Sequence, residues 1–240
     1  MRTLVIGDIH GAIKALTQVL ERADIQPTDH LIFLGDYADG WSQTPEVLDF
    51  LISYQHQQRC LFLRGNHDAL CYDFLQGKNM DTLWRLHGGK ATEKAYQNVT
   101  ETRRQAHLDF LASLQNYYLD AQNRLFLHAG FTNLRGIAYE HFPEMYYWDR
   151  TLWELAQSST LPPTDRHYPN RLKLYTHIYI GHTPTTRLGT DKPLSFNGVT
   201  NVDTGAAFKG RITIMDIDTL QYWQSDPVYT LYSDEAGRNQ

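Results

Sequence analysis

The chain has 240 residues, enough for one domain with a well-buried core, and no Pro/Gly/Ser-rich linker divides it, so residues 1–240 are expected to form a single domain. Hydrophobic residues at 42% and aromatics at 12% exclude disorder except at the ends, where the polar residues 234–240 are expected to fray. A net charge of −5 without long runs of either sign excludes a nucleic-acid polymer as main partner, and no apolar run approaches the roughly 20 residues of a membrane span.

Met1-Arg2-Thr3 passes straight into the apolar run Leu4-Val5-Ile6, without the charged-then-apolar pattern of a leader. Cys60 and Cys71 suit reduced thiols rather than a structural disulfide, so a cytoplasmic location is expected; separately, the chain is expected to be a monomer.

The first run ends in Gly7-Asp8-Ile9-His10-Gly11, and Ile13, Leu16, Val19 and Leu20 then recur at helical spacing over 12–22. The next strand, Leu31 to Leu34, ends in Gly35-Asp36-Tyr37-Ala38-Asp39. Thr44 is a plausible N-cap with Pro45 at the first helical position, and Val47, Leu48, Leu51 and Ile52 form that helix's buried face. Cys60 to Leu63 is a third strand, followed by Arg64 and Gly65-Asn66-His67-Asp68. Strands separated by single helices imply parallel pairing, with polar residues at the carboxyl ends, where sites in such sheets lie.

Residues 68–115 have a helical pattern broken at Gly77 and Gly88-Gly89, an insertion in which substrate specificity is expected to reside. Tyr117–Leu119 and Leu125–Leu127 read as a hairpin around 120–123, and the second strand leads into His128-Ala129-Gly130. Trp148-Asp149-Arg150 precedes a short helix, and 162–169 reads as a proline-rich loop. Tyr175 to Ile180 ends in Gly181-His182-Thr183-Pro184, and strands follow at 199–202, 211–217 and 221–223. Strands without intervening helices suggest antiparallel pairing. The fold class is therefore α/β with α+β character: two mixed sheets packed as a sandwich with flanking helices.

The strand ends collect Asp8, His10, Asp36, Asn66, His128 and His182, with Asp39 and His67 close by. Oxygen and imidazole donors without thiolate suit divalent Mn, Fe or Zn. Six ligands are too many for one tetrahedral zinc and too few to fill two octahedral ions, leaving positions for water and substrate. Taken singly, an Asp after a strand is more often a turn residue, and His182 could be a loop histidine; five such motifs in order outweigh that reading. His30, His56, His87, His107 and His177 lack this context and are left as surface or core residues. His141 and His167 stay unassigned.

In this order the motifs resemble those of the calcineurin-like metallophosphoesterases, most closely the bacterial phosphoprotein phosphatase and dinucleoside tetraphosphate hydrolase branch, over residues 4 to about 205. The resemblance implies a metallophosphoesterase-like sandwich with two divalent ions, Mn foremost. Asp8, His10 and Asp36 would hold the first ion, and Asp36 would bridge to a second completed by Asn66, His128 and His182. It also implies attack by a metal-bound hydroxide, with His67 as general acid oriented by Asp39, and a phosphate gripped by arginines. Arg64 and Arg150 match such arginines, although Arg150 could be a helix-start charge. Gly40 stands where the family usually carries another arginine, and no nearby basic residue replaces it. Trp41 beside it either stacks on an aromatic leaving group or packs against the next helix.

The expected function is hydrolysis of phosphate monoesters, on a phosphoprotein (phosphotyrosine included) or a small phosphate ester. The alternative is symmetrical cleavage of a dinucleoside polyphosphate, for which Lys78, Lys90, Lys94, Arg103 and Arg104 would line a longer cationic groove. A metal-binding scaffold without catalysis is the third reading, opposed by the presence of both His67 and Asp39.

Overall fold

Side chains alternate along each strand, and that alternation decides how the layers stack. In the computed structural model, which describes residues 1–238, β1 (Thr3–Ile6) is parallel to β2 (His30–Phe33), and β2 to β3 (Arg59–Phe62). Leu4 and Ile6 pack under the helices on one face, and Val5 faces the second sheet on the other. The helices are α1 (Ile13–Arg22), α2 (Thr44–Tyr54), α3 (Asn66–Leu75), the short α4 (Thr82–Trp84), α5 (Lys90–Ala95) and α6 (Glu101–Ser113). The last four build the helical insertion, which kinks at Gly88 with φ +108°.

The second sheet begins with the expected hairpin, β4 (Tyr117–Leu119) antiparallel to β5 (Arg124–Leu127). After α7 (Met145–Trp148) and α8 (Thr151–Ser158) it continues through β6 (His177–Ile180), β7 (Leu194–Phe196) and β8 (Val199–Asn201). β9 (Thr213–Asp216) and β10 (Tyr222–Gln224) return to the first sheet, and α9 (Val228–Leu231) follows. The orders are β10-β9-β1-β2-β3 and β4-β5-β6-β8-β7, five strands in each sheet, both mixed. Between them Val5, Ile32, Leu34, Leu63 and Met215 meet Phe126, Tyr179 and Val202 in one buried layer.

The strands β1, β2 and β3 of one sheet and β5, β6 and β8 of the other are parallel within each sheet, and their carboxyl ends converge on one edge of the sandwich. That edge carries the polar motifs.

Three local expectations are corrected. Thr44 is the first residue of α2 rather than its cap, because its Oγ1 accepts instead from the Asp39 N–H at 3.1 Å. β7 has no counterpart among the sequence-read strands, its exposed Ser195 breaking the apolar run. Residues 234–238 do not fray: Glu235 takes hydrogen bonds from Ser42, and the Arg238 N–H donates to the Ala207 carbonyl. Residues 239–240 lie outside the described residues.

Candidate metal centre

Glycine at the strand ends lets the ligand loops touch. A Cβ on Gly65 would sit 2.1 Å from Asp36 Oδ1, and one on Gly181 would sit 2.3 Å from Asp8 Oδ1, so no larger residue fits either place. His10, Asp36, Asp39 and His182 all have left-handed backbone, with φ of 53°, 55°, 66° and 68°. Each such residue costs roughly 1–2 kcal/mol, and their concentration here marks a site maintained against local preference. Asp68 holds the loops together: its carboxylate accepts from the backbone N–H groups of Asp36, Tyr37 and Gly65, each at 2.8 Å.

Asp36 lies between two clusters of donors. Its Oδ2 is 3.4 Å from His10 Nε2, which is also 3.7 Å from Asp8 Oδ2, and its Oδ1 is 3.4 Å from His128 Nε2. Asn66 Oδ1 is 3.2 Å from His128 Nε2 and 2.9 Å from His182 Nδ1. The far nitrogens of His10 and His128 face the carbonyls of Ala38 and Leu34, at 3.2 and 2.8 Å, which directs each Nε2 lone pair inward. Two sets of donor atoms, His10–Asp36–His67 and Asp36–His128–His182, each lie within 4.8 Å of one another, with Asp36 common to both.

The electrostatics favour cations at this place. Burial pushes the Asp8 carboxyl up to about 7 and that of Asp203, beside it, to about 7. Burial lowers His10 and takes His182 well below its ordinary value. Burial would lower His128, but Asp36 and Asp8 beside it raise it to about 10, so these carboxylates favour positive charge at this place. Among the described residues, His182 Nε2 is buried without a hydrogen-bond partner. An all N/O donor set with a shared carboxylate fits two divalent ions, and Asp8, His10, Asp36, Asn66, His128 and His182 are the residues that could hold them.

His67 projects beside this cluster from the first turn of α3. Its Nδ1 is 2.8 Å from Asp39 Oδ2. Asp39 is held in turn by the insertion, which sends the Trp84 indole N–H to Oδ2 at 2.8 Å and the Thr92 hydroxyl to Oδ1 at 2.6 Å. These two residues escaped sequence reasoning, although both flank the Gly88-Gly89 break.

A cavity of about 400 Å³ opens onto the donors, walled by His67, Trp84, Trp148, Arg150, Arg187 and Arg238. Arg150 donates to Thr183 Oγ1 at 2.7 Å, and its pKa is lowered by burial and by the nearby Arg187 and Arg238. Among the described residues none of these three guanidiniums has a carboxylate within ion-pair distance. Asp203 also lines the cavity, as does His87, which is thereby corrected from a residue without site context.

Other sequence-derived contacts do not form. Trp41 is fully buried, its indole N–H donating to the Ala206 carbonyl at 2.8 Å and its ring stacked on Tyr232 at 5.2 Å, so it packs and touches no substrate. Arg64 does not line the cavity: its guanidinium turns to the Leu111, Ala112 and Leu114 carbonyls at the end of α6, which suit a cation. Arg103 pairs with Asp49 and Glu46, Lys78 with Asp73, and Arg104 bonds the Leu75 carbonyl, while Lys90 and Lys94 line a different cavity. Trp41→Ala is therefore expected to destabilise the fold by roughly 3–5 kcal/mol. Urea unfolding would read this as a lower midpoint, with KM for aryl and alkyl phosphates shifting together.

Residues 1–210 match the family model for calcineurin-like phosphoesterase. The chain belongs to the calcineurin-like phosphoesterases. As a member of this family it is a metal-dependent phosphoesterase, and its two mixed sheets with flanking helices are the family's fold. It is 27% identical over 226 residues to a bis(5'-nucleosyl)-tetraphosphatase PrpE [asymmetrical] of Anoxybacillus flavithermus, covering 88% of each chain. In fold it is similar to a putative diadenosine tetraphosphatase at TM-score 0.63 and 16% identity, covering 93% of this chain and 92% of that one. It is likewise similar to the cold-active protein-tyrosine phosphatase of a psychrophile Shewanella at TM-score 0.59 and 15% identity, covering 94% and 80%. No helix among the described residues is long and apolar enough to cross a membrane.

Proposed function

We propose that this calcineurin-like phosphoesterase cleaves dinucleoside polyphosphates asymmetrically. The observation that carries the reading is the group of guanidiniums on Arg150, Arg187 and Arg238 around one cavity: Arg187 and Arg238 repel Arg150, and among the described residues none of the three has a carboxylate within ion-pair distance, although Asp203 also lines the cavity. A polyphosphate chain relieves that repulsion along its length, whereas one phosphate dianion meets only part of it. Trp148, which is exposed at the cavity wall, offers a flat face for a nucleobase beside it. The PrpE relative's name, which specifies asymmetrical cleavage, supports this over the symmetrical alternative.

Two divalent ions, Mn foremost, would activate water near neutral pH and clamp the attacking and leaving oxygens. The protein's own residues do the rest. Arg150 and Arg187 hold the phosphate oxygens, and Arg150 is itself fixed by Thr183. Asp39 orients His67 through Nδ1, aiming Nε2 at the leaving oxygen to deliver a proton. Trp84 contributes twice, as cavity wall and as donor to Asp39, so the insertion links substrate contact to the acid's orientation.

Phosphomonoester hydrolysis is the second reading, favoured by the cavity's size, which suits one phosphate with one ring. The test is product analysis after incubating manganese-loaded protein with diadenosine tetraphosphate. A nucleoside triphosphate with a monophosphate supports the proposal, and two diphosphates support symmetrical cleavage. No nucleotide product alongside rapid hydrolysis of an aryl phosphate establishes the monoesterase. Chelation should remove whichever activity is found, and added manganese should restore it.

A further inference from the structure

Position 40 cannot supply a guanidinium to this site. Gly40 has φ +99°, its Cβ would lie 3.2 Å from the His10 Cβ, and its N–H is bound by the Gly88 carbonyl at 3.2 Å. Gly88, also left-handed at φ +108°, presses its own backbone against Gly40: a Cβ there would meet the Gly40 nitrogen at 2.5 Å. These two glycines leave a space that the segment after α9 fills. The Arg238 Cγ is 3.8 Å from where a Gly40 Cβ would stand.

That segment is anchored at several points. Tyr232 stacks on Trp41 and donates its hydroxyl to Gln43 Oε1 at 2.7 Å. The Glu235 carboxylate accepts from the backbone N–H of Ser42 at 2.9 Å and its hydroxyl at 2.6 Å. Gly237 lies so close over Trp41 that a Cβ would meet the ring at 2.7 Å, and the Arg238 N–H is held by the Ala207 carbonyl at 2.9 Å. The side chain so delivered enters the cavity across the face of Phe208, 5.1 Å from its centroid, and donates from Nη1 to His67 Nε2 at 3.0 Å.

A part-buried guanidinium whose contacts among the described residues are an imidazole lone pair and a ring face keeps most of its donors unspent among them. They face the place where His67 must meet the leaving oxygen. We propose that Arg238 is a substrate-binding residue that grips the reacting phosphate, supplying from the far end of the chain the charge absent at Gly40. On substrate entry its contact with His67 Nε2 is exchanged for phosphate oxygens, which frees that nitrogen to take up a proton from solvent and then face the leaving group. The proposal rests on the phosphoesterase reading of the site and holds for a polyphosphate or a monoester alike.

The test uses the full chain loaded with manganese, as wild type, Arg238→Ala, Arg238→Lys and Arg238→Gln. Inorganic phosphate binding is measured by calorimetry, and turnover with 4-nitrophenyl phosphate and diadenosine tetraphosphate. Arg238→Ala is expected to weaken phosphate binding about tenfold or more, as for other charge-assisted contacts, and to raise KM. Arg238→Lys should recover part of the loss, and added guanidinium should improve Arg238→Ala but not wild type. Arg238→Gln keeps the stem and loses the charge, so the same weakening is expected of it even where melting shows the alanine variant destabilised. Unchanged phosphate affinity in both neutral variants overturns the proposal, as does increased kcat/KM, which would make Arg238 a plug over His67. Wild-type protein that binds phosphate through Arg238 yet hydrolyses neither ester overturns the proposed function and leaves this contact standing.

Discussion

Asp36→Asn is expected to reduce kcat/KM by more than about 10³ and to lower bound metal from two ions per chain to one or fewer. Removal of a single transition-state donor already costs roughly 10²–10³, and Asp36 is common to both donor clusters. Its two oxygens face opposite ways, Oδ1 toward His128 and Oδ2 toward His10, so an amide can serve one side as an acceptor but not both. The carboxylate is held well below its ordinary value: burial opposes ionisation, but His128, His67 and His10 outweigh it. Asparagine suits the left-handed backbone at φ 55°, so the substitution isolates the charge from the conformation. Elemental analysis alongside kinetics checks both halves. A variant retaining two ions and near-normal turnover would end the shared-carboxylate account.

His67→Asn should slow alkyl phosphate esters by roughly 10²–10⁴ in kcat, the range for a lost general acid. Aryl esters with good leaving groups should lose much less, because their departing oxygen needs little protonation. The asymmetry follows from geometry. Nδ1 is committed to Asp39, whose other contacts come from Trp84 and Thr92, so only Nε2 faces the cavity. Equal losses for both ester types would mean that His67 binds or positions, and the acid would have to be sought elsewhere. Because His67 Nε2 also receives the Arg238 donor, the two variants should be non-additive when combined, as expected for residues in contact.

The sequence by itself determined the parts that are local. Short apolar runs ending in glycine and a polar residue declare a buried strand and what stands at its end, and glycine at 65 or 181 is demanded by an approach of a few ångströms to the Asp36 or Asp8 carboxylate. Asp8, His10, Asp36, Asn66, His128 and His182 could therefore be named before any packing was known, and they do converge. The helical insertion and both mixed sheets follow from similar local periodicity. What only the tertiary structure decided is where side chains on irregular backbone point. Trp41 turns inward because Tyr232 and Ala206, both far along the chain, close over it. Arg64 turns away because the end of α6 offers it carbonyls. The same long-range packing brings Trp84 and Thr92 to Asp39 and Arg238 to Gly40's empty place, contacts without a sequence period since each joins segments far apart in the chain whose spacing is set by the whole sandwich.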